Sequence, residues 1–296
     1  MTTTKLKYEQ RIVAFIDILG FKEIVKQSEK DTAKIELLFS VLEYIKDWET
    51  SEKWNLKFVE IEEDAQKKGV DKFDIRGKTN STSFSDSIVV SVKTDNNINE
   101  MTSTLIVNLA YIGSVLMEQG ILIRGGITIG DIIHNEKGTV FGQGLIEAYM
   151  LEAKSAIYPR IILSDKLIKE LNYPLEQKKN RYPYHQYIDR FEDGCVGFHQ
   201  MNYYQVIDSW TEMTIEKMTS SLSNVRKVII QGLDISFESP EIFKKYIWLK
   251  EQYEKLIILS DYDFNTRQPI GIKATIRELF SHNIHFSNAD KYNDRK

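Results

Sequence analysis

The stretch "RIVAFIDILGFKEIV", Arg11 to Val25, decides how the rest of the chain is read. Its first half is β-branched, aromatic and apolar, which is the pattern of a buried strand running from Arg11 to Asp17. Leu19 and Gly20 then make a turn, and "FKEIVKQ" opens a helix at Phe21. The misfit is Asp17. A carboxylate buried without a partner costs several kcal/mol, so it belongs at the end of the strand. Two readings are open for it. It caps the helix that starts at Phe21, or it meets a positive charge.

The chain continues in alternating elements. "DTAKIELLFSVLEYIKDWE" is amphipathic, with Ile35, Leu38, Leu42 and Ile45 on one face and Asp31 as its N-cap. Residues 52–78 are dense in charge and read as a solvated insertion. "STSFSDSIVVSVK" reads as a hairpin with Ser85 and Asp86 at its tip. "INEMTSTLIVNLAYIGSVLMEQG" is helical and stops at Gly120. Two strand segments follow around a turn at Asn135 to Gly138, then the helix "QGLIEAYMLEAKSA" and the strand "PRIILSD". The expected class is α+β: a ferredoxin-like domain with a central, mainly antiparallel sheet flanked by helices. It spans residues 8–170. Residues 171–296 are expected to form a sheet-edge hairpin and a mainly helical extension, with Pro240 opening its last long helix. The aromatic stripe Phe243, Tyr246, Trp248 and Tyr253 reads as packing.

Composition excludes several classes. Of 296 residues 42% are hydrophobic and 28% charged, enough of each for a globular core and a wetted surface. The net charge of -4 argues against a dedicated nucleic-acid or anionic-membrane binder. A polyanionic substrate therefore needs local positive charge or metal ions. The single cysteine, Cys195, excludes an intrachain disulfide and fits a reducing compartment. No signal peptide is legible, and no apolar run is read as a membrane span. The expected location is the cytoplasm.

Asp17 at the end of one strand and Asp86 at the tip of a neighbouring hairpin would suit hard divalent cations such as Mg²⁺ or Mn²⁺. The "ILGF" turn, with Ile18, Gly20 and Phe21, leads into a helix N-terminus whose N–H groups favour phosphate oxygens. On spacing alone, helix cap and turn residue explain the two acids equally well.

Three ordered motifs tip that balance. "AFIDILGFKEIV", "FSDSIVV" and "IRGGITIGDIIHNEKGTVFGQGLIEAYMLE" resemble the successive motifs of class III nucleotidyl cyclases over about Arg11 to Asp165. The resemblance implies that Asp17 and Asp86 bind two divalent cations and that Arg124, Gly126, Ile127 and Gly130 belong to the family's Arg-x-Gly-Ile-x-x-Gly strand. It also implies a nucleoside triphosphate substrate and a head-to-tail homodimer whose site is shared between chains. The chain departs from purine cyclases at the base-reading place, which is Gln143, and at the ribose and transition-state places, which are Ile146 and Met150. Ile146 and Met150 have no side-chain hydrogen bond to offer an oxyanion. Arg124 and Lys154 are the candidate replacements for catalytic charge, and Gln143 and Tyr149 the candidates for base contact.

With "RGG", the "FG…AYMLE" helix and "KKYIWLKEQY", the sequence is similar to the cyclases of bacterial Pycsar anti-phage systems. That implies a pyrimidine substrate, UTP or CTP, a cyclic UMP or cyclic CMP product, and a downstream effector that senses it. Two alternatives stand beside this: a purine cyclase, and an inactive nucleotide-binding or dimerisation module that regulates a partner. His282 and His285 lack further ligands for a zinc site, and "GKTNSTS" fails the spacing of a phosphate loop.

Overall fold

The computed structural model describes residues 7–33, 35, 36, 39, 40, 43, 79–94, 97–172, 187–206 and 215–259. Strand β1 (Glu9–Ile18) and helix α1 (Phe21–Ser28) form the expected opening. Strands β2 (Thr79–Phe84) and β3 (Ser87–Lys93) make the hairpin, followed by helix α2 (Ile98–Glu118) and strand β4 (Ile123–His134). Next come β5 (Val140–Phe141), α3 (Gln143–Ser155), β6 (Arg160–Leu163) and α4 (Asp165–Glu170). The remaining elements are β7 (Asp189–Arg190), β8 (Val196–His199), a 3-10 turn (Gln200–Val206), α5 (Ile215–Ser236) and α6 (Pro240–Leu259). Beyond Glu43, the second expected helix lies outside the described residues, as do the 52–78 insertion, "NRYPYH" and the tail with His282 and His285.

The class is α+β, with eight strands in one mixed sheet. Its order is β2-β3-β1-β4-β6-β8-β7, and β5 pairs beside β4. Every pairing is antiparallel except β4 with β6. Helix α2 carries the chain from β3 over to β4, and β1 lies between those two strands as in a split β-α-β unit. Burial explains why β1 is central: Ile12, Val13 and Ala14 are wholly inaccessible, on both faces of the strand.

The sequence reading needs small corrections. The sixth strand ends at Leu163 rather than at Asp165, because Ser164 caps α4 by accepting the Leu167 N–H at 3.1 Å. Helix α2 does have the length and apolarity of a membrane span, contrary to expectation, but most of that apolar window is buried in the protein. The glycines of "RGGITIG" lie in regular strand, since β1 and β4 pair in unbroken register from Glu9 opposite Ile132 to Ile18 opposite Ile123. Gly125 lets β1 approach, since its Cβ would stand 2.6 Å from the Phe15 carbonyl oxygen, while Gly126 and Gly130 admit α3. A Cβ on Gly126 would stand 2.5 Å from the Ala148 carbonyl, and one on Gly130 would stand 2.8 Å from the Gly144 Cα.

By contact density the described chain divides into two units. The first comprises residues up to Ala110 and Leu122–His199, and holds the sheet. Its outer edge is clamped by Arg160, whose guanidinium pairs with Asp193 and lies over the rings of Tyr158 and Phe191, at 5.3 and 4.7 Å. The second comprises Tyr111–Ile121 and the chain from Gln200 onward. There Gln200 is buried and donates to the Gly113 and Ile121 carbonyls, while Tyr246 of α6 packs on Gly232 of α5. Tyr253 of α6 is fully buried, in keeping with a packing role for the aromatic stripe.

One buried polar cluster sets a pH dependence. His134 ends β4 with Ser91 Oγ 2.8 Å from Nδ1 and Thr82 Oγ1 2.9 Å from Nε2. Arg11 donates to the His134 carbonyl at 3.0 Å and to Asn80 Oδ1 at 2.6 Å. Burial, aided by the Arg11 charge, lowers the imidazole pKa to about 4. The unfolded chain takes up this proton below about pH 6.5 and the folded one only near pH 4. Acid therefore favours unfolding across that window, by about 3 kcal/mol at its lower end. Urea midpoints at pH 7 and pH 4.5 should differ less in His134→Gln than in the wild type.

Candidate active site

The cap reading of Asp17 fails. The residue that caps α1 is Gly20, at φ 72°, which has no side chain to bond to the helix start. Glycine takes that left-handed conformation without the Cβ clash other residues suffer. Asp17 sits instead at the penultimate position of β1, opposite Ser87 of β3 and Arg124 of β4.

Asp86 is delivered to the same place by its turn. Phe84 and Ser87 pair across β2 and β3, leaving Ser85 and Asp86 as a two-residue loop with Ser85 at φ 57°. A positive φ at the first central position is the geometry of a tight hairpin turn of type II′. The Ile18 N–H donates to the Asp86 carbonyl at 3.0 Å, and the Leu19 N–H donates to the Leu122 carbonyl at 2.8 Å. These two bonds tie the end of β1 to the hairpin tip and to the start of β4. Both acid side chains stay partly accessible.

Positive charge is present, supplied by β4. Arg124 Nε donates to Asp17 Oδ2 at 3.2 Å and lies 2.6 Å from Glu152 Oε1. Glu152 is a site residue that the sequence reading missed. It is 3% exposed, on α3 above Gly126. Burial pushes its carboxyl above the usual range; Arg124 opposes that, while Asp17 and Asp86 add to it. Its signal was present in the spacing: Gly144, Ala148 and Glu152 are the buried residues of α3, four apart on one face. An acid closing a stripe of small inward residues is a marked position.

The other face of α3 carries the remaining candidates. Gln143, Ile146, Met150 and Lys154 follow one another at spacings of three and four, opposite Glu152. All four are exposed. Tyr149 is half exposed, and its ring meets Phe15 edge-on at 5.4 Å. Within one chain, then, Asp17, Asp86 and Arg124 converge, while Gln143 and Lys154 point away from them. Ile18 is buried and contributes its backbone, and Phe21 is the first residue of α1. Among the described residues no group of three His, Cys, Asp or Glu side chains is placed to hold a metal ion.

No protein-family model matches the sequence, and no curated protein matches it. Among solved structures the chain is similar to the catalytic core of a rhodopsin-guanylyl cyclase with converted specificity, in complex with ATPalphaS. There the identity is 15% and the TM-score 0.33, over 64% of this chain and 93% of that one. It is similar to the monomeric guanylyl cyclase domain of a RhoGC fusion protein from the aquatic fungus Blastocladiella emersonii, at 15% identity and a TM-score of 0.32, over 64% and 95% of the two chains. It is also similar to a class III adenylyl cyclase-like ATP-binding protein from Pseudomonas aeruginosa, at 11% identity and a TM-score of 0.32, over 86% of this chain and 46% of that one. Overlaps this loose define neither a site nor a substrate.

Proposed function

We propose that the protein is a nucleotidyl cyclase that converts a pyrimidine ribonucleoside triphosphate, UTP or CTP, to its 3′,5′-cyclic monophosphate and pyrophosphate. The observation that carries this reading is the junction of β1 with the hairpin tip, where Asp17 and Asp86 are joined through the Ile18 N–H bond to the Asp86 carbonyl. Two carboxylates on adjoining strand ends have the hard-oxygen chemistry that Mg²⁺ or Mn²⁺ requires. Such ions commonly take one or two carboxylates and complete their shell with water and substrate phosphates, so a third protein ligand is not needed. Bound there, the ions would lower the pKa of the ribose 3′-hydroxyl and neutralise charge on the phosphates.

The chain's own groups then position the reaction. The first turn of α1 offers N–H groups that lack intrahelical partners, at Phe21 and Lys22, to phosphate oxygens. The 3′-hydroxyl gives its proton to water, its oxygen forms a bond to the α-phosphorus as the bond to the bridging oxygen breaks, and pyrophosphate leaves with that electron pair. Arg124 is the cation placed to balance charge beside the acids. Gln143 and Lys154, on the outward face of α3, would act on the site of a second copy in a head-to-tail homodimer. The exposed Ile146, Tyr149 and Met150 on that helix support such a contact. The product would be a second messenger in anti-phage defence, read by a separate effector; that role rests on the sequence resemblance.

Those same apolar positions favour a second reading, an inactive nucleotide-binding module that dimerises and regulates a partner. Incubating the purified protein with each of the four ribonucleoside triphosphates and Mn²⁺, then resolving cyclic products, separates the two. Product from UTP or CTP alone is expected. Product from ATP or GTP alone would replace the pyrimidine assignment with a purine one. No product from any, with Asp17→Asn binding nucleotide as well as the wild type, would leave the regulatory module.

A further inference from the structure

Arg124 stands between two carboxylates that it serves unequally. Its Nε–H donates to Asp17, yet Glu152 Oε1, the closer oxygen at 2.6 Å, accepts no hydrogen bond among the described residues. One N–H has one direction, and a buried carboxylate oxygen without a donor carries a desolvation cost. Three acids influence one another here, and one guanidinium lies against two of them. Both seats are on regular elements. Arg124 is directly across the β1–β4 ladder from Asp17, and Glu152 is held by the close approach of α3 to Gly126. With both oxygens within 3.2 Å of Nε, a turn of the side chain is enough to move the bond from one to the other.

We propose that Arg124 is an exchangeable counter-ion, paired with Asp17 when no cation is bound and turning wholly onto Glu152 when a divalent cation takes Asp17. Glu152 is then a positioning residue. It satisfies its own orphaned oxygen in the exchange and keeps the guanidinium beside the acids, supplying positive charge that Ile146 and Met150 lack. The proposal rests on the acid pair of the cyclase reading, but not on turnover.

Titrating Mg²⁺ onto the full-length protein, labelled with ¹⁵N at arginine, tests it without nucleotide. An arginine Nε–H signal persists when the group is bonded and fixed, and averages away when it is mobile. The Arg124 signal is the one that Arg124→Lys removes. In the wild type it should persist before and after saturation, with a shift between the two positions. In Glu152→Met, which removes the acceptor but keeps the volume, it should persist without Mg²⁺ and vanish as Mg²⁺ saturates. Half-saturation there should need roughly threefold to tenfold more Mg²⁺, because the guanidinium leaves Asp17 for no second carboxylate. Glu152→Gln, which retains an acceptor, should keep the signal. In Asp17→Asn the signal should begin at the Mg²⁺-saturated position and stay there, which decides the matter even if Glu152→Met does not fold. A Glu152→Met signal that survives saturation, or an Asp17→Asn signal that starts at the Mg²⁺-free wild-type position, overturns the exchange and leaves the cyclase reading standing. A wild-type signal indifferent to Mg²⁺, from a protein that still forms cyclic product, overturns the exchange alone; indifference with no product overturns both.

Discussion

Asp17→Asn and Asp86→Asn should each lower cyclic-nucleotide formation by about 10³-fold or more, a loss of roughly 4 kcal/mol of transition-state stabilisation. The amide keeps the shape of each side chain but removes the charge that holds a cation. Folding should survive both changes. Removing the Asp17 charge leaves Arg124 still paired with Glu152, so no buried charge is stranded. Asp86 acts on its neighbour through its backbone carbonyl, which the substitution spares. Melting temperatures within a few degrees of the wild type, beside lost turnover in the Mn²⁺ assay, are the expected pair of results. Turnover within tenfold of the wild type in either variant would remove that acid from the reaction.

Gly126→Ala should be a strongly damaging conservative change beside the acids. Its Cβ would stand 2.5 Å from the Ala148 carbonyl oxygen and from Leu151 Cβ, and 3.1 Å from the Glu152 nitrogen. Two of these three atoms are backbone, so no rotamer change relieves the contact and α3 must lift from β4. Overpacking of this kind costs about 2–3 kcal/mol, or roughly 3–5 °C in melting temperature for a chain of this size. The displaced helix also carries Glu152 away from Arg124. A misplacement of about 1 Å near a reacting centre costs on the order of 10²-fold in rate, so turnover should fall further than stability alone explains. Gly20→Ala is the control. Its Cβ meets nothing within 4 Å, and only the left-handed φ of 72° opposes it, at about 1 kcal/mol.

The sequence by itself determined the alternation of elements. Periodicity and turn residues placed β1, the hairpin, α2, β4, α3 and β6 within a few residues, because these features are local and each element's burial is written in its spacing. It also marked Asp17 and Asp86 as anomalous, since an acid at the end of an apolar strand and another at a hairpin tip stand out in any window. What it left open was whether Asp17 was more than a cap. Only the tertiary structure decided that, by giving the cap to Gly20 and setting Arg124 across the ladder from Asp17. The function of Gly126 was likewise undecidable locally: what it makes room for is a helix that follows it in the chain and packs back on it. Glu152 is the clearest case. In the sequence its place after Gly144 and Ala148 marks it for burial but names no partner for it. Its burial beside Arg124 arises from a contact 28 residues away along the chain (152 − 124), and no one-dimensional pattern encodes which charge a folded helix will bring down onto which strand.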